Sequence, residues 1–139
     1  MEIRVLAIDD EPDILDVYET ITEDVPDSKF KGVLYSGDAT DAILEFHPHV
    51  VIVDYQLPKP LGDTLVHELN TIGYPGKILA ISGYPEAEKK FEALSQYRME
   101  NGWSPITYLE KPFCTGLVRA LIEATQESLK PQEEDGSEP

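Results

Sequence analysis

The chain has 139 residues, of which 41% are hydrophobic, enough for one compact domain with its own core. Its 27 acidic and 11 basic residues give a formal charge of -16, which repels nucleic acid and anionic lipid and excludes direct binding to either. The apolar runs are too short to span a bilayer, the N-terminus lacks the features of a signal peptide, and the single cysteine, Cys114, cannot form an internal disulfide. We therefore expect a soluble, cytoplasmic protein.

The acidic residues are unevenly distributed. Residues 1–24 contain nine acidic residues and one basic residue, and residues 131–139 contain four acidic residues and no basic one. The final segment has no apolar side chain to bury, so we expect a domain over residues 1–130 followed by a disordered acidic tail. The acidic cluster near the N-terminus needs a separate explanation.

Five short stretches rich in β-branched residues alternate with segments of helical periodicity. The predicted strands are Ile3–Ile8, Phe30–Tyr35, Val50–Val53, Lys77–Ile81 and Ile106–Leu109. Four of the predicted helices carry an apolar stripe. The first contains Ile14, Tyr18, Ile21 and Val25; the second Ala39, Ala42, Ile43 and Phe46; the third Leu61, Leu65 and Leu69; and the fifth Leu117, Val118, Leu121, Ile122 and Leu129. The fourth helix is predicted from about Pro85 to about Met99. This strict alternation predicts an α/β fold of the (βα)5 type, with a parallel sheet covered on both faces.

Residues able to do chemistry follow four of these strands. They are Asp9 and Asp10 after the first strand, Asp54 after the third, Ser82 after the fourth and Lys111 after the fifth. The carboxyl ends of parallel strands share one edge, where open sheets bind ligands. Crowded carboxylates remain ionised beside a hard cation with oxygen ligands, above all Mg²⁺, which commonly accompanies phosphoryl groups. Asp54 is then the candidate nucleophile, and Lys111 a positive partner for the phosphate.

The segments at these strand ends resemble the receiver domain of response regulators in two-component signalling. They are Asp9-Asp10-Glu11-Pro12, residues 51–58 around Asp54, Gly62 eight residues after Asp54, Ile81-Ser82-Gly83, and residues 108–113 around Lys111. The resemblance covers residues 2–130, and the sequence is interpreted as a stand-alone receiver that is similar to chemotaxis regulators. It implies a flavodoxin-like, doubly wound sheet of five parallel strands in the order 2-1-3-4-5.

The resemblance also implies a role for each acidic residue at this edge. Asp54 would accept a phosphoryl group from a histidine kinase or a phosphotransfer protein. Asp10 would bind Mg²⁺ directly and Asp9 through water, with Asp54 itself and the backbone carbonyl of Gln56 completing the protein ligands. The protein would not be an enzyme that turns over a substrate, since phosphorylation and dephosphorylation occur on its own side chain.

The same resemblance implies how the phosphorylated state is read. Ser82 would hydrogen-bond one phosphoryl oxygen, Lys111 would pair with another, and Tyr108 would turn inward when Ser82 moves. The Lys111–Pro112 peptide bond is expected to be cis. A downstream protein would bind the face formed by the fourth helix, fifth strand and fifth helix, and the receiver would act as a monomer or as a phosphorylation-linked dimer.

Two features depart from the family pattern. Gln56 and Tyr84 occupy variable positions two residues after Asp54 and Ser82, where the side chain tunes access of water to the phosphoryl group. The segment between Ser82 and Lys111 is longer than receivers usually have, and residues 101–105, which include Trp103, are predicted to form the loop of this insertion. The insertion would reshape the surface where partners bind.

Other interpretations of the same residues remain open. A phosphatase with an aspartate nucleophile would use related chemistry, although Gln56 stands where such enzymes have a second aspartate. A receiver fold that is never phosphorylated, or a receiver cut from a longer regulator, would share the fold. Three histidines, His47, His49 and His67, are interpreted as surface or loop residues, and Cys114 as the start of the last helix.

Overall fold

The apolar stretches form the strands of one parallel sheet. They are β1 (Ile3–Ile8), β2 (Ser28–Val33), β3 (Val50–Asp54), β4 (Lys77–Ser82) and β5 (Ile106–Glu110). Between and after them lie α1 (Pro12–Glu23), α2 (Ala39–Phe46), α3 (Gly62–Thr71), α4 (Ala87–Glu100) and α5 (Thr115–Ser128), with a short 3-10 turn at Ser36–Asp38. This computed structural model describes residues 1–34, 36–57 and 61–130, so the expectations for Tyr35, Pro58 and the tail 131–139 lie outside the described residues.

The sheet order is β2-β1-β3-β4-β5, which confirms the predicted (βα)5 topology. Each neighbouring pair is parallel, and the register pairs Ile8 of β1 with Val53 of β3. Asp9 therefore follows β1 at the level of Asp54, the last residue of β3. This register brings two carboxylates from distant parts of the chain to one edge of the sheet.

Helices cover the sheet on both faces. Side chains of α2, α3 and α4 pack on one face against a cluster that includes Leu6, Val51, Val53, Ile78 and Ala80. Side chains of α1 and α5 pack on the other face against a cluster that includes Val5, Ala7, Ile52, Leu79 and Ile81. Burial on both sides explains why β1, β3 and β4 are apolar along nearly their whole length. No helix within residues 1–34, 36–57 and 61–130 is long and apolar enough to cross a membrane.

Three details of the predicted elements were wrong. β2 begins at Ser28, two residues before the predicted start, because it is an edge strand whose Lys29 and Lys31 are exposed, so it lacks a continuous apolar run. Leu61 precedes α3 and is 43% exposed, and Leu117 is 45% exposed on the outer side of α5. Single exposed leucines are common on protein surfaces, and periodicity alone does not identify them.

Candidate functional site

Asp54 is buried at the carboxyl end of β3, with its side chain 4% exposed. Its Oδ1 accepts a hydrogen bond from the backbone N–H of Gln56 at 2.9 Å, and its Oδ2 accepts one from Nζ of Lys111 at 2.7 Å. Charge-assisted hydrogen bonds of this length are among the stronger polar contacts in proteins. One backbone amide and one ammonium group therefore fix the position of the Asp54 side chain.

Lys111 reaches Asp54 from the loop after β5. The backbone N–H of Lys111 donates to the carbonyl of Ser82 at 2.8 Å, and the Lys111–Pro112 bond is cis, as predicted. Burial disfavours the charged ammonium, but the hydrogen bond and the negative charge of Asp54 outweigh it, so the pKa of Lys111 is raised. Lys111 is thus a cation at any pH near neutrality.

Asp9 is fully buried and its carboxylate is only half satisfied. Its Oδ1 accepts the backbone N–H of Glu11 at 2.9 Å, whereas its buried Oδ2 has no hydrogen-bond partner in the part of the chain that the structure describes. Burial, opposed by the hydrogen bond from Glu11 and reinforced by the neighbouring charge of Asp54, raises the pKa of Asp9 to about 7. A buried oxygen of this kind calls for a cation, a proton or a water.

A divalent cation fits the residues beside Asp9. Carboxylate oxygens of Asp9, Asp10 and Glu11 lie within 4.8 Å of one another, with Asp10 and Glu11 exposed to solvent. Mg²⁺ binds hard oxygen donors and keeps several waters. This site offers carboxylate oxygens, one of them buried and unpartnered, and access to water. Asp54, predicted as a further ligand, lies outside this group of three, and its Oδ2 is bonded to Lys111. Glu11, which was not among the predicted ligands, lies inside it.

Ser82 and Tyr108 converge on the backbone of Tyr84. Ser82 is fully buried at the end of β4, and its Oγ accepts the N–H of Tyr84 at 2.8 Å. The Tyr108 hydroxyl donates to the Tyr84 carbonyl at 3.0 Å, and its half-buried ring packs 6.2 Å from that of Phe91 on α4. Burial raises the pKa of Tyr108 despite the opposing effect of the neighbouring Ser82 hydroxyl. A change at Ser82 would therefore reach Tyr108 through the peptide groups of residue 84.

Gly62 packs directly against the backbone that carries Asp54. A Cβ at this position would lie 2.5 Å from the Asp54 carbonyl oxygen and 2.7 Å from Cα of Tyr55. The backbone N–H of Gly62 also donates to the carbonyl of Tyr55 at 2.9 Å. The residue is glycine because the chain passes too close for any side chain.

Sequence reasoning missed the hydroxyl of Tyr18. This residue was assigned to the apolar stripe of α1, and its ring is indeed buried, at 1% exposure. Its hydroxyl, however, has no hydrogen-bond partner among the described residues, and the charges of Asp9 and Asp54 add to burial in raising its pKa. The available signal was a tyrosine in a stripe otherwise made of aliphatic residues.

The histidines lie away from this edge, as predicted. His47 is exposed and ends α2, and His67 is exposed on α3. His49 is half-buried before β3, where its Nδ1 accepts the backbone N–H of Arg4 at 2.9 Å. Cys114 immediately precedes α5, also as predicted.

Residues 5–123 match the family described as the response regulator receiver domain. None of the curated proteins matches this sequence. Among solved structures, the Francisella response regulator 1452 receiver domain is 19% identical with a TM-score of 0.74, covering 93% of this chain and 100% of that one. A CheY-like receiver domain protein from Methanospirillum hungatei is 23% identical with a TM-score of 0.71, covering 98% of this chain and 100% of that one. The response regulator domain of Thermotoga maritima CheB is 21% identical with a TM-score of 0.67, covering 94% of this chain and 100% of that one.

Proposed function

Because this chain belongs to the response regulator receiver domain family, we propose that it is a phosphoacceptor switch in which Asp54 receives the phosphoryl group. The observation that carries the proposal is the 2.7 Å contact between Asp54 and Lys111, beside the unpartnered Oδ2 of Asp9. A nucleophilic carboxylate, a fixed cation and an incomplete acidic cluster together suit the transfer of an anionic group.

In the proposed reaction, one carboxylate oxygen of Asp54 attacks phosphorus and forms a P–O bond. The P–N bond of a phosphohistidine donor breaks, and its electron pair stays on the imidazole nitrogen. Lys111 neutralises charge on the transferred group and Ser82 donates a hydrogen bond to it. Asp10 directly, Asp9 through water, and Asp54 and the backbone carbonyl of Gln56 would hold Mg²⁺, whose charge would offset that of the phosphoryl oxygens.

The phosphoryl group would be read through Ser82 and Tyr108. In the structure the Ser82 hydroxyl accepts the N–H of Tyr84 and donates to the Tyr84 carbonyl at 3.4 Å, so it must give up the donated bond to reach a phosphoryl oxygen. Such an exchange changes the environment of the Tyr84 carbonyl, which also binds the Tyr108 hydroxyl. A ligand shifts a conformational equilibrium only through such differential contacts.

We assign the output surface to the face formed by α4, β5 and α5. Between α4 and β5 runs a groove of about 390 Å³ whose lining includes Tyr108, Phe91, Ile106 and Met99. Glu88 and Glu92 stand along the same groove, so a partner with apolar anchors and basic residues fits it best. The phosphodonor would be a cytoplasmic histidine kinase or phosphotransfer protein, and the receiver would act as a monomer or a phosphorylation-linked dimer.

The test is incubation of the protein with a small acyl phosphate and Mg²⁺, followed by intact mass measurement. We expect one phosphoryl increment in the wild type, none in Asp54→Asn, and the wild-type increment in the control Asp41→Asn, an exposed aspartate on α2. An increment that survives Asp54→Asn contradicts the proposal. Steady hydrolysis of a phosphate monoester would instead favour a phosphatase.

A further inference from the structure

Tyr18 lies on the same face of the sheet as the acidic site. Its ring belongs to the cluster that contains Ala7 of β1 and Ile52 of β3. Side chains alternate along a strand, so Asp9 and Asp54, each two residues further along, project toward this face. The charges of both carboxylates raise the pKa of Tyr18, which agrees with this placement.

The ring of Tyr18 is fixed from the other side by the loop that carries Lys111. It stacks on Phe113, with ring centroids 5.8 Å apart and an angle of 15° between the planes. Phe113 is two residues after Lys111, the partner of Asp54. The ring of Tyr18 is therefore held against the Lys111 loop, on the face of the sheet toward which both carboxylates project.

Two buried polar atoms in this region lack partners. The Tyr18 hydroxyl is a donor, and Oδ2 of Asp9 is an acceptor; neither has a hydrogen bond to any described residue. Buried polar groups in native proteins are nearly always satisfied, commonly by a buried water that bridges them. A carboxylate oxygen has two lone pairs, so accepting one hydrogen bond leaves a second lone pair for a cation.

We propose that Tyr18 is a positioning residue of the cation site, whose hydroxyl donates through one buried water to Oδ2 of Asp9. The bridge holds the Asp9 carboxylate in the orientation that binds Mg²⁺. This inference rests on the proposed function, because it assigns Tyr18 a task in the same acidic site. Groups that orient a metal ligand without touching the metal commonly change its affinity by at least about tenfold.

The test is the Mg²⁺ affinity of Tyr18→Phe, which removes only the hydroxyl and retains the stack on Phe113. Isothermal titration calorimetry is expected to give a Kd about tenfold weaker than that of the wild type. In an Asp9→Asn background the same substitution is expected to change the Kd little, because Tyr18 acts through Asp9.

Tyr74→Phe is the matched control. Tyr74 is also buried, but its hydroxyl donates to the carbonyl of Pro48 at 2.9 Å, at the opposite edge of the sheet. This variant is expected to unfold at lower urea concentration and to keep the wild-type Kd. Each substitution removes one phenolic hydroxyl, so the comparison separates an effect on folding stability from an effect on Mg²⁺ affinity.

The other possible results overturn the inference about Tyr18, either alone or together with the proposed function. If Tyr18→Phe binds Mg²⁺ like the wild type and is equally or more stable in chelator, the hydroxyl is only an unsatisfied group, and this inference is wrong while the phosphoacceptor proposal stands. An equal loss of affinity with and without Asp9 also overturns it. If the wild type binds no Mg²⁺, both proposals fail.

Discussion

At the scale of single residues, Gly62 sets the position of Asp54, the proposed phosphoacceptor. The atoms that a Cβ would meet here belong to the backbone of Asp54 and Tyr55, which cannot rotate away as a side chain would. Any larger residue must displace the loop after β3, and the contacts of Asp54 with Gln56 and Lys111 depend on that loop.

We predict that Gly62→Ala lowers the free energy of unfolding by about 1–3 kcal/mol, the usual cost of overpacking. Phosphorylation of Asp54 should slow at the same time, because its hydrogen bonds are displaced. Urea unfolding and the rate of the mass increment measure the two effects. The control is Gly37→Ala, where a Cβ meets nothing within 4 Å, and where a change within about 0.5 kcal/mol is expected.

His49 gives a pH-dependent contribution to stability at the other edge of the sheet. Burial, together with the charge of Arg4, lowers the pKa of His49 despite the opposing charge of Glu2. The folded protein therefore binds this proton more weakly than the unfolded chain, whose histidine titrates near its ordinary value. The stability due to neutral His49 is present above about pH 6.5 and is lost as the pH falls through this value towards the folded-state pKa.

We predict that His49→Asn loses less stability on acidification than the wild type, because its amide oxygen still accepts the Arg4 N–H but does not titrate. Urea unfolding at about pH 8 and about pH 5 measures the difference across the histidine titration. His67→Asn, at an exposed position on α3, should keep the wild-type pH dependence. If the wild type, His49→Asn and His67→Asn lose the same free energy of unfolding on acidification, this interpretation is wrong.

At the scale of elements, α4 is anchored at its C-terminal end by Arg98. The guanidinium is fully buried and donates to Oδ1 of Asn70 at 3.0 Å, to the carbonyls of Tyr74 and Ser104 at 2.8 Å each, and to the carbonyl of Gly76. The ring of Trp103 lies 5.5 Å from Cζ. One side chain thus joins α4 to α3, to the loop before β4 and to the loop 101–105 before β5. Among the described residues, no buried charged side chain anchors the N-terminal end of α4, which lies nearer Tyr84 and is better placed to respond to Ser82.

We predict that Arg98→Lys destabilises the protein by about 2–4 kcal/mol, because one ammonium cannot reach all four oxygens and leaves buried acceptors unpaired. The fluorescence of Trp103, the single tryptophan, should change in the folded state since it loses the guanidinium beside it. Urea unfolding and emission spectra test this. Arg119→Lys alters exposed ion pairs and should cost at most about 1 kcal/mol. Equal effects of the two substitutions would show that Arg98 anchors nothing.

The elements also show where sequence reasoning succeeds and fails. Asp54 was identified because the buried strand β3 is a continuous apolar run, so the first polar residue marks its end. Lys111 follows Glu110 of the half-buried edge strand β5 and was identified from its position just after a strand and before Pro112. Edge strand β2 lacks such a run, and its start was placed at Phe30 instead of Ser28. Arg98 gave no signal, because its partners are backbone carbonyls and one amide, which no side-chain pattern encodes. The Tyr18 hydroxyl was hidden for a similar reason, since its ring fits the apolar stripe.

At the scale of the whole molecule, part of the charge of -16 lies at the site. Asp9, Asp10 and Glu11 lie together. Within the described residues, Asp54 forms a salt bridge with Lys111 and with no other basic residue. The cation-free protein therefore carries a local electrostatic cost in addition to its general self-repulsion. Monovalent salt screens the exposed charges but does not reach the buried Oδ2 of Asp9.

We predict that Mg²⁺ stabilises the fold beyond any effect of ionic strength. At about 100 times its Kd, a ligand that binds only the folded state adds about 2.7 kcal/mol to the free energy of unfolding. Thermal unfolding in chelator, in Mg²⁺ and in NaCl of equal ionic strength separates specific binding from screening. Asp10→Asn should lose most of the Mg²⁺ effect and retain the NaCl effect, because it removes one ligand and one exposed charge. If NaCl stabilises the wild type as much as Mg²⁺ does, the acidic cluster is a repulsive surface patch, and the buried oxygen of Asp9 is satisfied by a proton or a water instead of a cation.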